Sequence, residues 1–332
     1  MSSHEVVGGP FFENLQVGQL VRDAPALTLT EGLAAVHRAI VADRLRLPLD
    51  QELSRRVAGA PMAHPALVWD IAIGQSTLLT HRVIANLFYR GVQFRRFPRI
   101  SDTLRTTTEV VALRQNTKRA GRAATGLAVL RIRTTDQNDY EILDFLRCAM
   151  VPLRDPEGTT VHSDDLEQIA PKTPAAALSA PIADWRLDLF RAGVGGNHFA
   201  DLADGTIWEV DGGDVVTSAP ELARLTLNIA MVHHDAASSA SGRLVYGGHT
   251  IGLAMLQVMR ALPNLVTILA WHSCDHLGPV REGDTLRSSV ELERTEPLAT
   301  GGGLLHLRSR VRAERDGGSQ EVLDWRFVGV MA

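Results

Sequence analysis

Four segments from the first half of this chain recur in its second half, in the same order and at nearly constant separation. FFENLQVGQLV (11–21) matches HFADLADGTIW (198–208), and APMAHPALVWDIAIG (60–74) matches YGGHTIGLAMLQVMR (246–260), placing His64 opposite His249. SDTLRTTTEVVAL (101–113) matches GDTLRSSVELERT (283–295), and EILDFLRCAMV (141–151) matches EVLDWRFVGVM (321–331). The separation drifts from 187 to 180 residues, as small loop insertions produce. One such pair can arise by chance, but four in register mark an internal duplication. The chain must therefore fold as one unit used twice, and 332 residues suffice for two units of roughly 150.

Both units have the same grammar. An apolar segment of helical length comes first, at 65–79 and again at 250–262. The second is apolar nearly all round (Ile251, Leu253, Leu256, Val258, Met259), which predicts a buried helix. Strand-like stretches follow at 265–272, 285–294, 304–313 and 322–330, rich in β-branched residues and separated by turn signals such as Asp316-Gly317-Gly318. A buried helix followed by a meander of long strands is an α+β pattern in which the sheet wraps the helix. Two copies predict a double hotdog: an N-terminal unit over 1–151, a proline-containing linker over 152–185 and a C-terminal unit over 186–332.

Composition narrows the function classes. A net charge of -4 gives no reason to expect nucleic-acid binding. No apolar run approaches the ~18 residues of a membrane span, and the N-terminus has no signal-peptide pattern, so the expectation is a cytoplasmic protein. Cys148 and Cys274 stand one in each half among strand-like residues, where buried free thiols are expected. His272, Cys274 and His276 would share one strand face, but no fourth ligand has zinc spacing, so no metal is expected.

The densest polar cluster is Arg224-Leu-Thr-Leu-Asn228-Ile-Ala-Met-Val-His233-His234-Asp235, followed by Gly247-Gly248-His249-Thr250. Asn228 stands five residues before His233, and His249 follows His233 by 16. This segment resembles the signature of the MaoC-like hydratase family, in which an acid or amide precedes the catalytic histidine by five positions and a second histidine marks the start of the hotdog helix. The run GRLVYGGHTIGLA, the paired halves and the opening FFENLQVGQ extend the resemblance over most of the chain. They bring it nearest to the branch of mesaconyl-CoA (2-methylfumaryl-CoA) hydratases, also called β-methylmalyl-CoA dehydratases.

The resemblance implies a hydro-lyase that needs no cofactor of its own, because the acyl-CoA substrate carries the coenzyme A. It implies His233 as catalytic base with Asn228 beside it, and an oxyanion-stabilising helix start at Gly248, His249 and Thr250. Histidine suits the chemistry, which takes a proton from water and returns one to carbon. Backbone N–H groups at a helix start can stabilise the enolate-like thioester oxygen, and the Gly247-Gly248 pair is expected to let a ligand approach closely. Asp235 is a candidate to orient an imidazole, while His234 is expected to be structural. Arg243 and Arg281 are candidates for the CoA phosphates.

The sequence departs from the family pattern in three places. Asn228 replaces the usual Asp and cannot accept a proton, the usual Pro between the two positions is absent, and Thr250 replaces the Gly after His249. A five-residue gap on a regular helix would also set Asn228 and His233 about 140° apart. They can converge only if the helix ends or bends. The first half lacks the Asn-x4-His pattern, although His37 and Asp43 lie in the corresponding region and His64 persists. One site per chain is therefore expected, with the first unit shaping the groove. The leading expectation is hydration of a short, branched, dicarboxylic enoyl-CoA. A hydratase for another acyl thioester and a non-catalytic acyl-CoA-binding protein are the alternatives, and a homodimer is compatible with either. Thioester hydrolysis on a hotdog fold usually uses a carboxylate to activate water, and position 228 offers none.

Overall fold

The strand-forming segments of each half alternate between two faces, and the structure gives both faces a use. The computed structural model describes residues 7–166, 169, 178–238 and 242–332. The first half contains short strands β1 (Leu20–Val21) and β2 (Leu27–Thr28), then helices α1 (Glu31–Val41), α2 (Arg46–Leu49), α3 (Gln51–Ala58) and α4 (Pro65–Gln75). Four long strands follow: β3 (Ala85–Phe94), β4 (Thr103–Gln115), β5 (Thr125–Thr135) and β6 (Glu141–Pro152). The second half repeats the plan with α5 (Leu187–Gly193), β7 (Ile207–Glu209), β8 (Asp214–Val215), α6 (Ala219–Leu225) and α7 (Gly247–Ala261). Its long strands are β9 (Leu265–His276), β10 (Thr285–Pro297), β11 (Gly303–Arg315) and β12 (Gly318–Met331).

The long strands form one antiparallel sheet in the order β4-β5-β6-β3-β9-β12-β11-β10, which reads the same from either end once repeat partners are matched. The seam is β3 against β9, with Tyr89 opposite Cys274 and Val92 opposite Trp271. A palindromic order with like strands at the centre is the structural form of the duplication, and the double hotdog is the observed fold. Every residue of α4 is buried, as are Gly248 to Met259 of α7, so the two apolar segments are the enclosed helices. Trp69 of α4 lies edge-on to Trp271 with ring centres 4.8 Å apart, and Trp271 lies edge-on to Trp325 at 5.5 Å, so one apolar core crosses the seam. Both cysteines are buried free thiols, and burial pushes the Cys148 thiol up to about 12.

Two recurrent motifs have physical reasons to recur. Phe12 packs against Gly126 and Phe199 against Gly303 so closely that a Cβ on either glycine would fall within 2.3 Å of a ring atom. Asp102 and Asp284, which open the repeated Asp-Thr-Leu-Arg strands, accept the backbone N–H of Arg99 and Arg281 at 2.7 and 2.8 Å and close the preceding turns. One detail differs from the sequence alignment. His64 is the N-cap of α4, its Nδ1 accepting the Ala66 N–H, whereas α7 begins at Gly247 behind Tyr246 and holds His249 in its first turn. Of the linker, residues 167–168 and 170–177 lie outside the described residues; before them Ser163 bridges to Arg114 and Leu166 packs on the outer sheet face. No helix among the described residues is long and apolar enough to cross a membrane.

Candidate active site

Asn228 and His233 converge because the helix that carries their segment stops early. Helix α6 ends at Leu225, and Leu227 takes a left-handed backbone (φ 61°), a costly conformation for a branched apolar side chain that turns the chain sharply. Asn228 then heads a short loop into a 3-10 turn over Met231–His233, so the 140° separation of a regular helix does not apply. The first half supports this loop. Thr77 Oγ accepts the Ile229 N–H at 3.0 Å, and the His81 carbonyl accepts the Met231 N–H at 2.9 Å. A Cβ on Gly74 of α4 would lie 1.7 Å from the Thr226 carbonyl oxygen, so only glycine permits this approach.

The loop opens onto a cavity of about 400 Å³ that both halves line. Asn228 is buried, and its Oδ1 accepts the Ala230 N–H at 3.0 Å, which fixes the amide orientation and turns Nδ2 into a donor for the cavity. His233 Nδ1 lies 2.9 Å from the Leu244 carbonyl. A carbonyl only accepts, so Nδ1 carries the proton and Nε2 is left with its lone pair. Burial pushes the His233 pKa down to about 4, with His234, Arg147 and His276 adding to the effect against the opposing Leu244 bond. The imidazole is therefore neutral at pH 7. His234 is structural, its Nε2 donating to the Asn228 carbonyl at 2.6 Å.

The helix start differs from expectation at three residues. His249 is fully buried outside the cavity lining, both its ring nitrogens lack partners among the described residues, and its N–H donates to the Tyr246 carbonyl at 2.9 Å. Its ring lies outside the cavity lining, and its N–H is already engaged. Gly248 makes room for protein rather than ligand: a Cβ there would meet the Asp70 carboxylate and the Tyr246 ring. Gly247 plays the same part for the His276 imidazole, yet it lines the cavity, and as the first helical residue it has no intrahelical acceptor for its N–H. Thr250 lines the cavity. Among the described residues Asp235 bonds no imidazole; it is exposed and caps its own turn by accepting the Ala237 N–H at 2.8 Å. The group that orients His233 is the Leu244 carbonyl.

Sequence reasoning missed several groups here. Tyr246 donates to buried Asp70 at 3.1 Å, and Asp70 lies 3.0 Å from His37, so a buried network from the first half braces the helix start. Burial raises the Asp70 pKa against the opposing His37 interactions. Arg147 of β6 lines the cavity yet is almost fully buried, and donates to Asn86 Oδ1, Ser76 Oγ and Thr80 Oγ at 2.9, 2.6 and 3.0 Å. Alternation in β6 could have flagged it, because Phe145, Arg147 and Ala149 share the core-facing side and the repeat partner of Arg147 is Phe327. Arg243 and Arg281 lie with Arg315 around a second cavity of about 370 Å³ that shares His233, Leu244, Val245 and Arg281 with the first. Arg243 pairs with Glu282, and Arg281 donates to the Gly242 carbonyl at 2.7 Å. Of the three residues weighed as metal ligands, His272 stacks on His306, Cys274 is buried and His276 turns towards Tyr89.

Two tandem hotdogs, with a neutral histidine and a helix start lining a cavity that both halves share, define a double-hotdog protein. No family model matches the chain. Mesaconyl-CoA hydratase of Cereibacter sphaeroides is 31% identical over 311 residues, covering 90% of this chain and 88% of that protein. β-Methylmalyl-CoA dehydratase of Chloroflexus aurantiacus is 30% identical over 323 residues, covering 92% and 89%. A solved structure from Mycobacterium tuberculosis, of a conserved hypothetical protein described as essential for bacterial survival during infection, has a double hotdog fold. It is 50% identical with a TM-score of 0.93 over 99% of this chain and 100% of that one. The chain belongs to the MaoC-like double-hotdog hydratase and dehydratase family.

Proposed function

We propose that this protein catalyses the reversible hydration of a short, branched enoyl-CoA thioester, with mesaconyl-CoA to β-methylmalyl-CoA as the leading candidate reaction. The observation that carries the proposal is the His233 tautomer: Nδ1–H is held by the Leu244 carbonyl, leaving Nε2 as an acceptor in a cavity of substrate size. The names and coverage of the two relatives support the choice of substrate.

In the hydration direction, Nε2 takes a proton from water as the oxygen adds to the β-carbon, and the imidazolium returns that proton to the α-carbon. The thioester oxygen gains negative charge in between. Asn228 Nδ2 and the Gly247 N–H are the donors at hand for it, and the positive end of α7 favours that charge. A neutral imidazole held at low pKa is fully available as a base, though intrinsically a weak one. Polarisation of the thioester must therefore supply much of the rate. Arg243 and Arg281, which line the adjoining cavity, are the residues we assign to the CoA phosphates.

The test is a hydration assay of the wild-type protein with mesaconyl-CoA, crotonyl-CoA and a longer enoyl-CoA, following loss of enoyl-thioester absorbance. Turnover of mesaconyl-CoA well above the others is the expected result. Tight acyl-CoA binding with no turnover of any of the three would instead identify a non-catalytic binding protein, the reading that Asn228 in the acid's place favours.

A further inference from the structure

Resting on that reading and extending it, we infer that Arg147 and Asn86 form a receptor for a free carboxylate on the acyl group, and so restrict the enzyme to dicarboxylic thioesters. Arg147 is 3% exposed, and no carboxylate lies within ion-pair distance of it among the described residues. Its three hydrogen-bond acceptors, Asn86 Oδ1, Ser76 Oγ and Thr80 Oγ, are all neutral. A guanidinium carries five N–H donors and stays protonated, so two donors and the whole positive charge remain uncompensated. A buried cation without a counter-ion costs several kcal/mol, and a hydrophobic residue of similar volume is often at least as stable in its place. The second copy of the strand has that solution, Phe327.

The second observation is independent of the first. The Nε–H of Arg147 needs an acceptor, so it fixes the Asn86 amide with Oδ1 towards the guanidinium. Asn86 Nδ2 is then buried in the same cavity wall with no partner among the described residues. An uncompensated planar fork of N–H donors beside an unpartnered amide donor matches a planar anion with several lone pairs, which is a carboxylate. Both groups line the cavity that holds His233 and Asn228, with the arginines proposed for the CoA phosphates around the adjoining cavity. A carboxylate at Arg147 therefore belongs to the acyl part of the ligand.

The experiment compares calorimetric binding of succinyl-CoA and butyryl-CoA, which are saturated and do not react, to wild type, Arg147→Lys and Arg147→Met. A charge-assisted bond of about 1.5–3 kcal/mol corresponds to roughly 10- to 150-fold. Wild type should prefer succinyl-CoA by that factor. Arg147→Met should lose the preference, and Arg147→Lys should keep part of it. Equal wild-type binding of the two ligands overturns the inference, as does a preference that survives in Arg147→Met. If Arg147→Met fails to fold, wild type and Arg147→Lys decide alone: the preference must be present in the first and reduced in the second. This readout separates the two readings. A strong preference with no hydration of any substrate leaves the receptor standing and removes the hydratase, and the converse result does the opposite.

Discussion

Gly74→Ala sets two physical effects against each other, and the structure says which wins. Gly74 lies in the last turn of α4, where alanine gains up to about 1 kcal/mol of helix propensity. The added methyl, however, would sit 1.7 Å from the Thr226 carbonyl oxygen and 3.0 Å from the Asn228 nitrogen. A Cβ essentially never comes within 3.0 Å of a non-bonded heavy atom, so the loop or the helix must give way by more than 1 Å. Overpacking of this kind typically costs 1–3 kcal/mol, which exceeds the propensity gain. Thr226 and Leu227 lead directly into Asn228, so the displacement passes to the group beside His233. A misplacement of about 1 Å near reacting groups can cost on the order of 10²-fold in rate. The expected outcome is a fall in kcat/KM for enoyl-CoA hydration by about that factor, with a melting temperature lowered by a few degrees. Unchanged kcat/KM together with a raised melting temperature would refute the claim that α4 positions the loop.

Three further outcomes follow from the same geometry. Asn228→Asp keeps the Oδ1 bond to Ala230 and places a negative charge near His233, which should raise the pKa of the imidazole and move the acid limb of the kcat/KM profile towards neutral pH. A profile identical to wild type would show that residue 228 does not act on the base. His233, His249 and His276 each have a pKa lowered to about 4 from 6.5 by burial, so between those values the unfolded chain binds protons that the folded chain does not. Stability should then fall as pH drops through this window, by up to about 1.4 kcal/mol per unit for each histidine, and a flat melting temperature from pH 6.5 to 4 would contradict their burial as neutral groups. Gly303→Ala would force a methyl to 2.0 Å from the Phe199 ring and should destabilise the second unit by about 1–3 kcal/mol in denaturant titration, without acting on the cavity.

The architecture was legible because duplication and apolar periodicity are properties of the chain itself. The palindromic strand order is the spatial image of four repeated segments, and the two apolar runs are α4, buried throughout, and α7, buried from Gly248 to Met259. Asn228 and His233 were legible from spacing, but their convergence depends on the left-handed turn at Leu227, which spacing does not reveal. What sequence could not supply were groups defined by distant partners. The helix-start glycines serve Asp70 and His276, and His249 falls on the wrong side of its helix for the cavity. Arg147 acquires its meaning from Asn86, Ser76 and Thr80, between 61 and 71 residues away. The expected orienting residue Asp235 gave way to a backbone carbonyl, a group every residue carries and no motif can mark.

The central claim is that His233 is the base of a hydration reaction, and the most direct measurement is the turnover of His233→Ala beside its ligand binding. General-base catalysis of this kind contributes typically 10²–10⁴-fold. The account predicts a loss of mesaconyl-CoA hydration in that range, with succinyl-CoA affinity within a few-fold of wild type. Turnover equal to wild type in a correctly folded His233→Ala protein would contradict it.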